Sequence, residues 1–177
     1  MSPSSAATAS APPAGLDIGT AAPAFTLPDL SGTPRSLNDW LGQPLLLLFL
    51  DPASPSSRDL IFRLARLAGR IARDPLPIIV TTGEVAANQE LIAGSGLACP
   101  VLLQRNLEVA TAYRADATPM GYRIDGNGRI LSPLVMGASD LLALATAEES
   151  FAPAPAFMPM WPPSGAGFHR PPSRWRN

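Results

Sequence analysis

Residues Pro44 to Arg73 decide the fold and read PLLLLFLDPASPSSRDLIFRLARLAGRIAR. The apolar run Leu45 to Leu50 is too short to cross a bilayer and predicts a strand buried on both faces. A tight turn, Asp51 to Pro55, follows and leads into a helix with one apolar and one basic face. The apolar positions are Leu60, Ile61, Leu64, Leu67, Ala68 and Ile71, and the basic positions are Arg63, Arg66, Arg70 and Arg73. We expect the apolar face to pack on the sheet and the arginines to face water.

The turn after this strand carries serines at the start of the helix. Free N–H groups and the helix dipole stabilise an anion there, so the position suits a nucleophile. A catalytic serine also needs a base within hydrogen-bond reach, and the single histidine of the chain, His169, lies far away in a proline-rich segment. Ser54, Ser56 or Ser57 is therefore expected to cap the helix, with catalysis and ligand contact as the alternatives.

Composition limits the class of protein. The chain has 177 residues, 46% of them apolar, and a net charge of -1, so it can bury one core and shows no electrostatic signal for nucleic acid. The first residues lack the charged start and apolar stretch of a secretory signal, and no segment reaches the length of a membrane-spanning helix. We expect a cytoplasmic protein without membrane insertion. No pattern of metal ligands or phosphate-binding glycines stands out, so neither a metal nor a cofactor is predicted.

The remaining segments alternate between strands and helices. Expected strands or extended segments are Phe25 to Leu27, Leu76 to Thr81, Cys99 to Leu103, and a hairpin around Gly126-Asn127-Gly128. Expected helices are a single turn capped by Ser36, Glu84 to about Ala93, Leu107 to Tyr113, and Ser139 to Glu148 capped by Ser139 or Asp140. This order predicts an α/β fold, a central mixed sheet with helices on both faces.

Three stretches together resemble the thioredoxin-like superfamily. They are GTAAPAFTLPDLSGTPRSLNDWLGQPLLLLFLDP from Gly19, the helix after the serine turn, and ATPMGYRIDGNGRI from Ala117. The branch they resemble is the redoxin group related to AhpC/TSA peroxiredoxins and MauD-type proteins. The resemblance covers about Leu16 to Ala147 and implies a thioredoxin-like three-layer fold. It also implies a cis bond at Thr118-Pro119, facing the turn after the central strand.

The same resemblance exposes a departure. Redox-active members carry Cys-x-x-Cys or a single peroxidatic cysteine in this turn, whereas here Ser54 and Ser57 stand where the two cysteines would be. A serine hydroxyl titrates far above the range of a thiol and forms no disulfide, so dithiol exchange and sulfenic acid chemistry are excluded at this turn.

Cys99 is the single thiol of the chain. It precedes the apolar residues Val101 to Leu103, an environment in which a cysteine is usually a small buried hydrophobe. The alternative is a reactive thiol, acting as a sensor or forming an intermolecular disulfide, and that requires exposure.

The last residues, Phe151 to Asn177, combine seven prolines with aromatic side chains. Proline blocks helix and sheet pairing, so an extended chain is expected, although ordinary disordered tails contain few aromatics. The aromatic residues either pack on the domain or dock a partner, and an inert tail is the third option. The candidate docking residues are Phe157, Trp161, Phe168 and Trp175.

These observations lead to a domain scheme and two functional hypotheses. We expect a disordered segment at 1–15, a redoxin domain at 16–148 and a tail at 149–177. The favoured function is a non-catalytic binding or assembly module for a protein partner. The alternative is a thiol-dependent oxidoreductase or peroxiredoxin-type antioxidant that acts through Cys99 or a partner thiol. The expected binding surface consists of Asp51, Pro52, Ser54, Ser57, Thr118 and Pro119.

Overall fold

The fold is built on the apolar run that follows Pro44. The computed structural model describes residues 14–68 and 75–147. Its elements in chain order are β1 (Thr26–Pro28), β2 (Pro34–Ser36), a 3-10 turn (Leu37–Trp40), β3 (Leu45–Leu50), α1 (Pro55–Ala68), β4 (Leu76–Thr81), α2 (Val85–Ser95), β5 (Val101–Leu103), α3 (Glu108–Ala112), β6 (Met120–Ile124), β7 (Val135–Met136) and α4 (Ala138–Thr146). All six residues of β3 are buried, which confirms the predicted central strand.

The main sheet is mixed. Among the described residues its strands follow the order β5-β4-β3-β6-β7. Strands β3, β4 and β5 run parallel because helices connect them, whereas β6 and β7 are antiparallel to their neighbours. The carboxyl ends of β3, β4 and β5 therefore meet at one edge of the sheet, and the connections that follow them lie along that edge.

Hydrophobic residues cover both faces of this sheet. Leu46, Leu48 and Leu50 of β3 face the core shared with α1, α2 and α4, and the alternate residues face the core shared with α3 and the β1–β2 pair. Within α1, Leu60, Ile61 and Leu64 are buried, while Arg63 and Arg66 are exposed. This arrangement confirms the expected α/β fold with helices on both faces.

A relay of tyrosines holds the segment before β1 against the core. The Leu16 N–H donates to the Tyr122 hydroxyl at 2.9 Å, and that hydroxyl donates to the Tyr113 carbonyl at 2.8 Å. The Tyr113 hydroxyl in turn donates to the Pro23 carbonyl at 2.8 Å. Both rings are buried and lie 5.9 Å apart between centroids, so the segment is tied to β6 and α3 through polar atoms inside the core.

The capping prediction at Ser36 is confirmed and the one at the last helix is wrong. Ser36 forms a capping box with Asp39 around the 3-10 turn. The N-cap of α4 is Gly137 at φ 99°, without a side-chain cap, so neither Ser139 nor Asp140 has the predicted role. A positive φ favours glycine and lies outside the helical region, so Gly137 cannot belong to the helix, which begins at the next residue.

The predicted hairpin is present only in part. Ile124 and Ile130 form an isolated bridge across the glycine turn, and the regular strand that pairs with β6 is β7, further along the chain. Beyond Ile130 the Leu131 N–H still donates to the Arg123 carbonyl, but the Arg123 N–H donates to the Ser132 hydroxyl at 2.9 Å instead of to a backbone carbonyl, and strand pairing with β6 resumes at Val135.

Several predictions fall on residues outside the described ranges. They include Arg70, Ile71 and Arg73 of the basic helix, residues 1–13, and the whole segment from 148 to 177 with its aromatic docking residues. The compact unit to which the described residues belong extends to Ala147. Within these residues, no helix is both long enough and apolar enough to span a bilayer.

Candidate functional site

The serine turn links the carboxyl end of β3 to the first turn of α1. The Ser54 N–H donates to the Asp51 carbonyl at 3.0 Å, and the Ser54 carbonyl accepts the first helical hydrogen bond, from the Arg58 N–H, at 3.2 Å. The Asp51 carboxylate folds back and accepts the Ala53 N–H at 2.9 Å. Ser54, which is half-buried, therefore lies at the N-terminal boundary of the helix, the position expected from its place in the sequence.

Ser57 has a different role from the predicted cap. Its side chain is fully buried, and its hydroxyl oxygen accepts the Asp51 N–H at 3.2 Å, joining the first turn of α1 to the end of β3. The hydroxyls of Ser54 and Ser56 make no hydrogen bond with another described residue. The serine side chains thus do not cap the helix, although the backbone of Ser54 begins it.

A second hydrogen bond fixes the same turn from the helix side. The Arg58 guanidinium donates through Nε to the Pro52 carbonyl at 2.8 Å. Pro52 is itself buried and approaches the loop after β4, where a Cβ built on Gly83 would lie 3.5 Å from its Cγ. Both ends of the turn are therefore anchored, so the turn has a defined shape.

Thr118-Pro119 lies at the same edge of the sheet. The peptide bond between the two residues is cis, as the family resemblance implied. Met120 pairs with Phe49, so Pro119 stands beside the point where β3 gives way to the serine turn. Pro119 is buried and its carbonyl accepts the Gly137 N–H at 3.0 Å, whereas Thr118 is exposed. The structure therefore brings Thr118 and Pro119 to the edge occupied by the serine turn.

Cys99 lies at the other edge. Val101 pairs with Ile79, which pairs with Leu48, so Cys99 is level with the beginning of β3. At about 3.3 Å per residue, it is roughly 15 Å from the serine turn along the strand direction alone. The side chain is half-buried in the core beneath α1 and α2, and burial raises the pKa of its thiol from the ordinary 9.0 to about 12. Cys99 is therefore a protonated, apolar-packed thiol at neutral pH and is separate from the turn.

A buried polar cluster, which the sequence did not reveal, supports the neighbouring loop. Asn88 of α2 is buried, and its amide donates to the carbonyls of Thr82 and Glu84 at 3.0 Å each. Its side-chain oxygen accepts the Thr81 hydroxyl at 3.0 Å. An asparagine within an otherwise apolar helix face is the one signal for it, because a buried amide must find partners. The cluster holds the connection after β4 beside Pro52.

The chemistry available at the edge is that of hydroxyls, backbone groups and one half-buried carboxylate. Within the described residues no three His, Cys, Asp or Glu side chains come together as a metal site. The surface offers extended backbone and polar side chains around a shallow, rigid turn. Among the described residues of the turn, Ser54, Ser56 and Ser57 carry hydroxyls, and none is a cysteine.

Comparisons with curated proteins identify related sequences. Over 116 residues the chain is 30% identical to the thiol-disulfide oxidoreductase ResA of Geobacillus thermodenitrificans, covering 64% of this chain and 66% of ResA. Over 118 residues it is 30% identical to the methylamine utilization protein MauD of Methylorubrum extorquens, covering 66% of this chain and 56% of MauD. The chain thus matches just under two thirds of ResA and little more than half of MauD.

Solved structures share the fold. The thioredoxin domain of a thiol-disulfide oxidoreductase from Bacteroides vulgatus superposes with a TM-score of 0.63 at 23% identity, covering 73% of this chain and 95% of that domain. Peroxidoxin BcpB from Mycobacterium tuberculosis superposes with a TM-score of 0.62 at 19% identity, covering 73% of this chain and 94% of BcpB. Identities this low establish the fold alone.

One family model extends across the serine turn, the loop before β6 and the bridge at Ile130. The AhpC/TSA family model matches residues 18–132, which is more than half of the chain. This protein belongs to the AhpC/TSA family and has a thioredoxin-like fold.

Proposed function

We propose that this protein is a binding or assembly module, a member of the redoxin family that lacks the catalytic dithiol. The observation that carries the proposal is the pair of hydroxyls on Ser54, directly before α1, and Ser57, in its first turn. Thiol-disulfide exchange requires a thiolate to attack a disulfide, and neither hydroxyl ionises or pairs covalently in this way. The anchored turn and the loop before β6 supply a surface on which a partner chain can rest.

The alternative function is a thiol-dependent oxidoreductase or peroxiredoxin-type antioxidant acting through Cys99 or a partner thiol. It is favoured by the name of the ResA relatives, which are thiol-disulfide oxidoreductases. The position of Cys99 argues against a reaction through this residue. Its thiol is half-buried, has a raised pKa and lies at the opposite edge from the turn. A thiol supplied by a partner would still have to react with another thiol or disulfide, since Ser54 and Ser57 offer none.

Thiol-disulfide exchange and peroxide consumption distinguish the two functions. We expect the purified chain and its Cys99→Ser variant to show no turnover with oxidised glutathione or hydrogen peroxide. In the Cys99→Ser background, Ser54→Cys with Ser57→Cys should introduce exchange, because the two new thiols can pass two electrons to a substrate disulfide and close a disulfide between themselves. Turnover by the wild type that Cys99→Ser abolishes would refute the binding-module proposal.

Binding at the edge is tested with a charged substitution. Thr118→Arg places a bulky cation on the exposed residue before Pro119, and a partner that rests there should bind at least about tenfold more weakly. Thr20→Arg is the matched control, because this threonine is also exposed and its carbonyl accepts the Ile130 N–H, level with the beginning of β3 and away from the turn. Equal loss of binding in both variants would refute the proposal that the partner binds at this edge.

The aromatic tail enters the same proposal as a second contact for the partner. The docking residues Phe157, Trp161, Phe168 and Trp175 are exchanged together for serine in the full chain. A weaker complex with the partner retained by the wild type is expected, and unchanged affinity would refute a docking role for the tail.

A further inference from the structure

One outer strand of the sheet is covered by a loop, and the other is open. At one side, Leu102 of β5 forms a bridge with Asp29, so the loop after β1 covers that strand. At the other side, β7 pairs with β6 through Met136 and Val135 and has no second neighbour among the described strands. An open strand presents unpaired N–H and C=O groups that can accept another extended chain.

An apolar groove of about 620 Å³ runs beside this open strand. Its lining consists of Leu134, Val135, Met136, Asp140, Ala143, Leu144 and Ala147. Asp140, Ala143 and Leu144 of α4 and its C-cap Ala147 are spaced three and four residues apart, so they form one stripe of the helix surface next to the strand. Met136 is 51% exposed, a large apolar surface left in contact with water.

One charge stands in this lining. Asp140 is exposed and makes no ion pair with another described residue. A carboxylate at the border of an apolar groove favours a cationic group on whatever occupies the groove and disfavours an anionic one. The groove therefore presents one negative charge beside apolar side chains.

The groove also adjoins the carboxyl ends of the parallel strands, where the serine turn lies. The Gly137 N–H, at the junction of β7 and α4, donates to the Pro119 carbonyl at 3.0 Å. A chain lying along β7 would leave the sheet at this junction, next to Thr118.

We propose that β7 and the adjoining stripe of α4 bind an extended partner peptide that has alternating apolar side chains and a Lys or Arg against Asp140. The peptide adds a strand to the open edge, so main-chain hydrogen bonds hold it, and every second side chain enters the groove. This site is beside the serine turn and independent of thiol chemistry, and thus goes beyond the proposed function.

The test is fluorescence polarisation with the full chain and labelled peptides of alternating Val and Ser. One peptide carries a Lys near its end and the other a Glu at the same place. We expect the Lys peptide to bind at least about tenfold more tightly, and Asp140→Asn to remove this preference. Glu90→Gln is the matched control, because this exposed carboxylate lies on α2, away from the groove.

A second pair of variants tests the apolar part of the groove. Met136→Ser should weaken the Lys peptide several-fold, while Phe62→Ser should leave it unchanged, since Phe62 is similarly exposed but lies on α1. Equal binding of the Lys and Glu peptides, or equal effects of these two substitutions, overturns the proposal. Circular dichroism of each variant verifies that the fold is intact.

Two other possible occupants of the groove, a segment of this chain and a second copy of it, would give different experimental results. A synthetic peptide of residues 150–163 that binds more tightly than the Lys peptide would overturn the proposal, because the chain itself would supply the occupant. A dimer in light scattering that the Lys peptide dissociates would overturn it in favour of a second copy. Wild-type thiol turnover would refute the proposed function and leave the peptide site unaffected.

Discussion

The serine turn and the segment around Cys99 lie at opposite ends of the parallel strands of one sheet. The turn has no thiol, and among the described residues the Cys99 segment has no helix N-terminus beside its thiol. The turn has an anchored backbone at a helix N-terminus, a position that stabilises an anion, and its side chains there carry hydroxyls. The Cys99 segment has the thiol but is packed against apolar side chains, where the thiolate is disfavoured. The comparison teaches that a sulfur atom and the place that activates it are separate requirements, and that in this chain they do not coincide.

The largest expected effect compares one thiol at each position. In the Cys99→Ser background, Ser54→Cys should be alkylated rapidly by iodoacetamide at pH 8, because the helix N-terminus favours the thiolate. The wild type, with Cys99 alone, should react about a thousandfold more slowly than an ordinary thiol, since its pKa is about 12 instead of 9.0. Alkylation is followed by mass spectrometry. Similar rates for the two proteins would break the comparison.

The next effect concerns the hydrogen bond that shapes the turn. Ser57→Ala removes the acceptor of the Asp51 N–H and leaves this donor without a partner, so we expect the free energy of unfolding to fall by about 1–3 kcal/mol. Ser56→Ala, at an exposed neighbour, should change it by less than about 0.5 kcal/mol. Urea denaturation of both variants measures the difference. If the two variants were equally stable, Ser57 would have no special structural role.

A third effect uses alkaline pH to probe Cys99 alone. The raised pKa means that, above pH 9.0, the unfolded chain loses the thiol proton while the folded chain keeps it until about pH 12. Stability should therefore fall as pH rises through this window, approaching about 1.4 kcal/mol per pH unit more steeply in the wild type than in Cys99→Ala. Tyr113 and Tyr122 titrate in both proteins and cancel in the difference. Parallel stability curves would show that Cys99 is not in an apolar site.

The smallest effect is a substitution of the sulfur itself. Cys99→Ser brings a hydroxyl into the core beneath α1 and α2, and we expect a loss of about 1 kcal/mol in unfolding free energy relative to Cys99→Ala. Thermal denaturation at pH 7 compares the two variants. A serine variant as stable as the alanine variant would place this side chain in a wetter environment than the one described.

Continuous apolar runs made much of the fold predictable. Leu45 to Leu50 and Leu76 to Thr81 are β3 and β4 with the predicted bounds, because a short apolar run between helices leaves few other conformations. Ser36 was equally informative, since an N-cap depends on local spacing, although the partner role of Asp39 in the capping box was not predicted. The ion pair from Arg63 to Asp59 at 2.9 Å also follows from helical spacing alone.

The wrong structural predictions have a common cause. Contacts and backbone conformations at single positions override the local sequence pattern. In the predicted hairpin the Ser132 hydroxyl, and not a backbone carbonyl, accepts the Arg123 N–H, and Gly137 precedes α4 where serine or aspartate was expected to cap it. The role of Ser57 could not be predicted either, because its hydroxyl bonds to a backbone N–H six residues earlier, across the turn. The position of the serine turn followed from the pattern, and its internal contacts did not.

The tyrosine relay between the leading segment and the core has a mechanical consequence. Three hydrogen bonds through two phenols connect Leu16 and Pro23 to β6 and the end of α3, and backbone hydrogen bonds from Gly19, Thr20 and Ala22 to residues 128–130 form a second row of attachments. The segment is therefore fixed along two rows of partners at once. A one-residue insertion between Leu16 and Pro23 would shift one row out of register with the other, so the segment could not keep both.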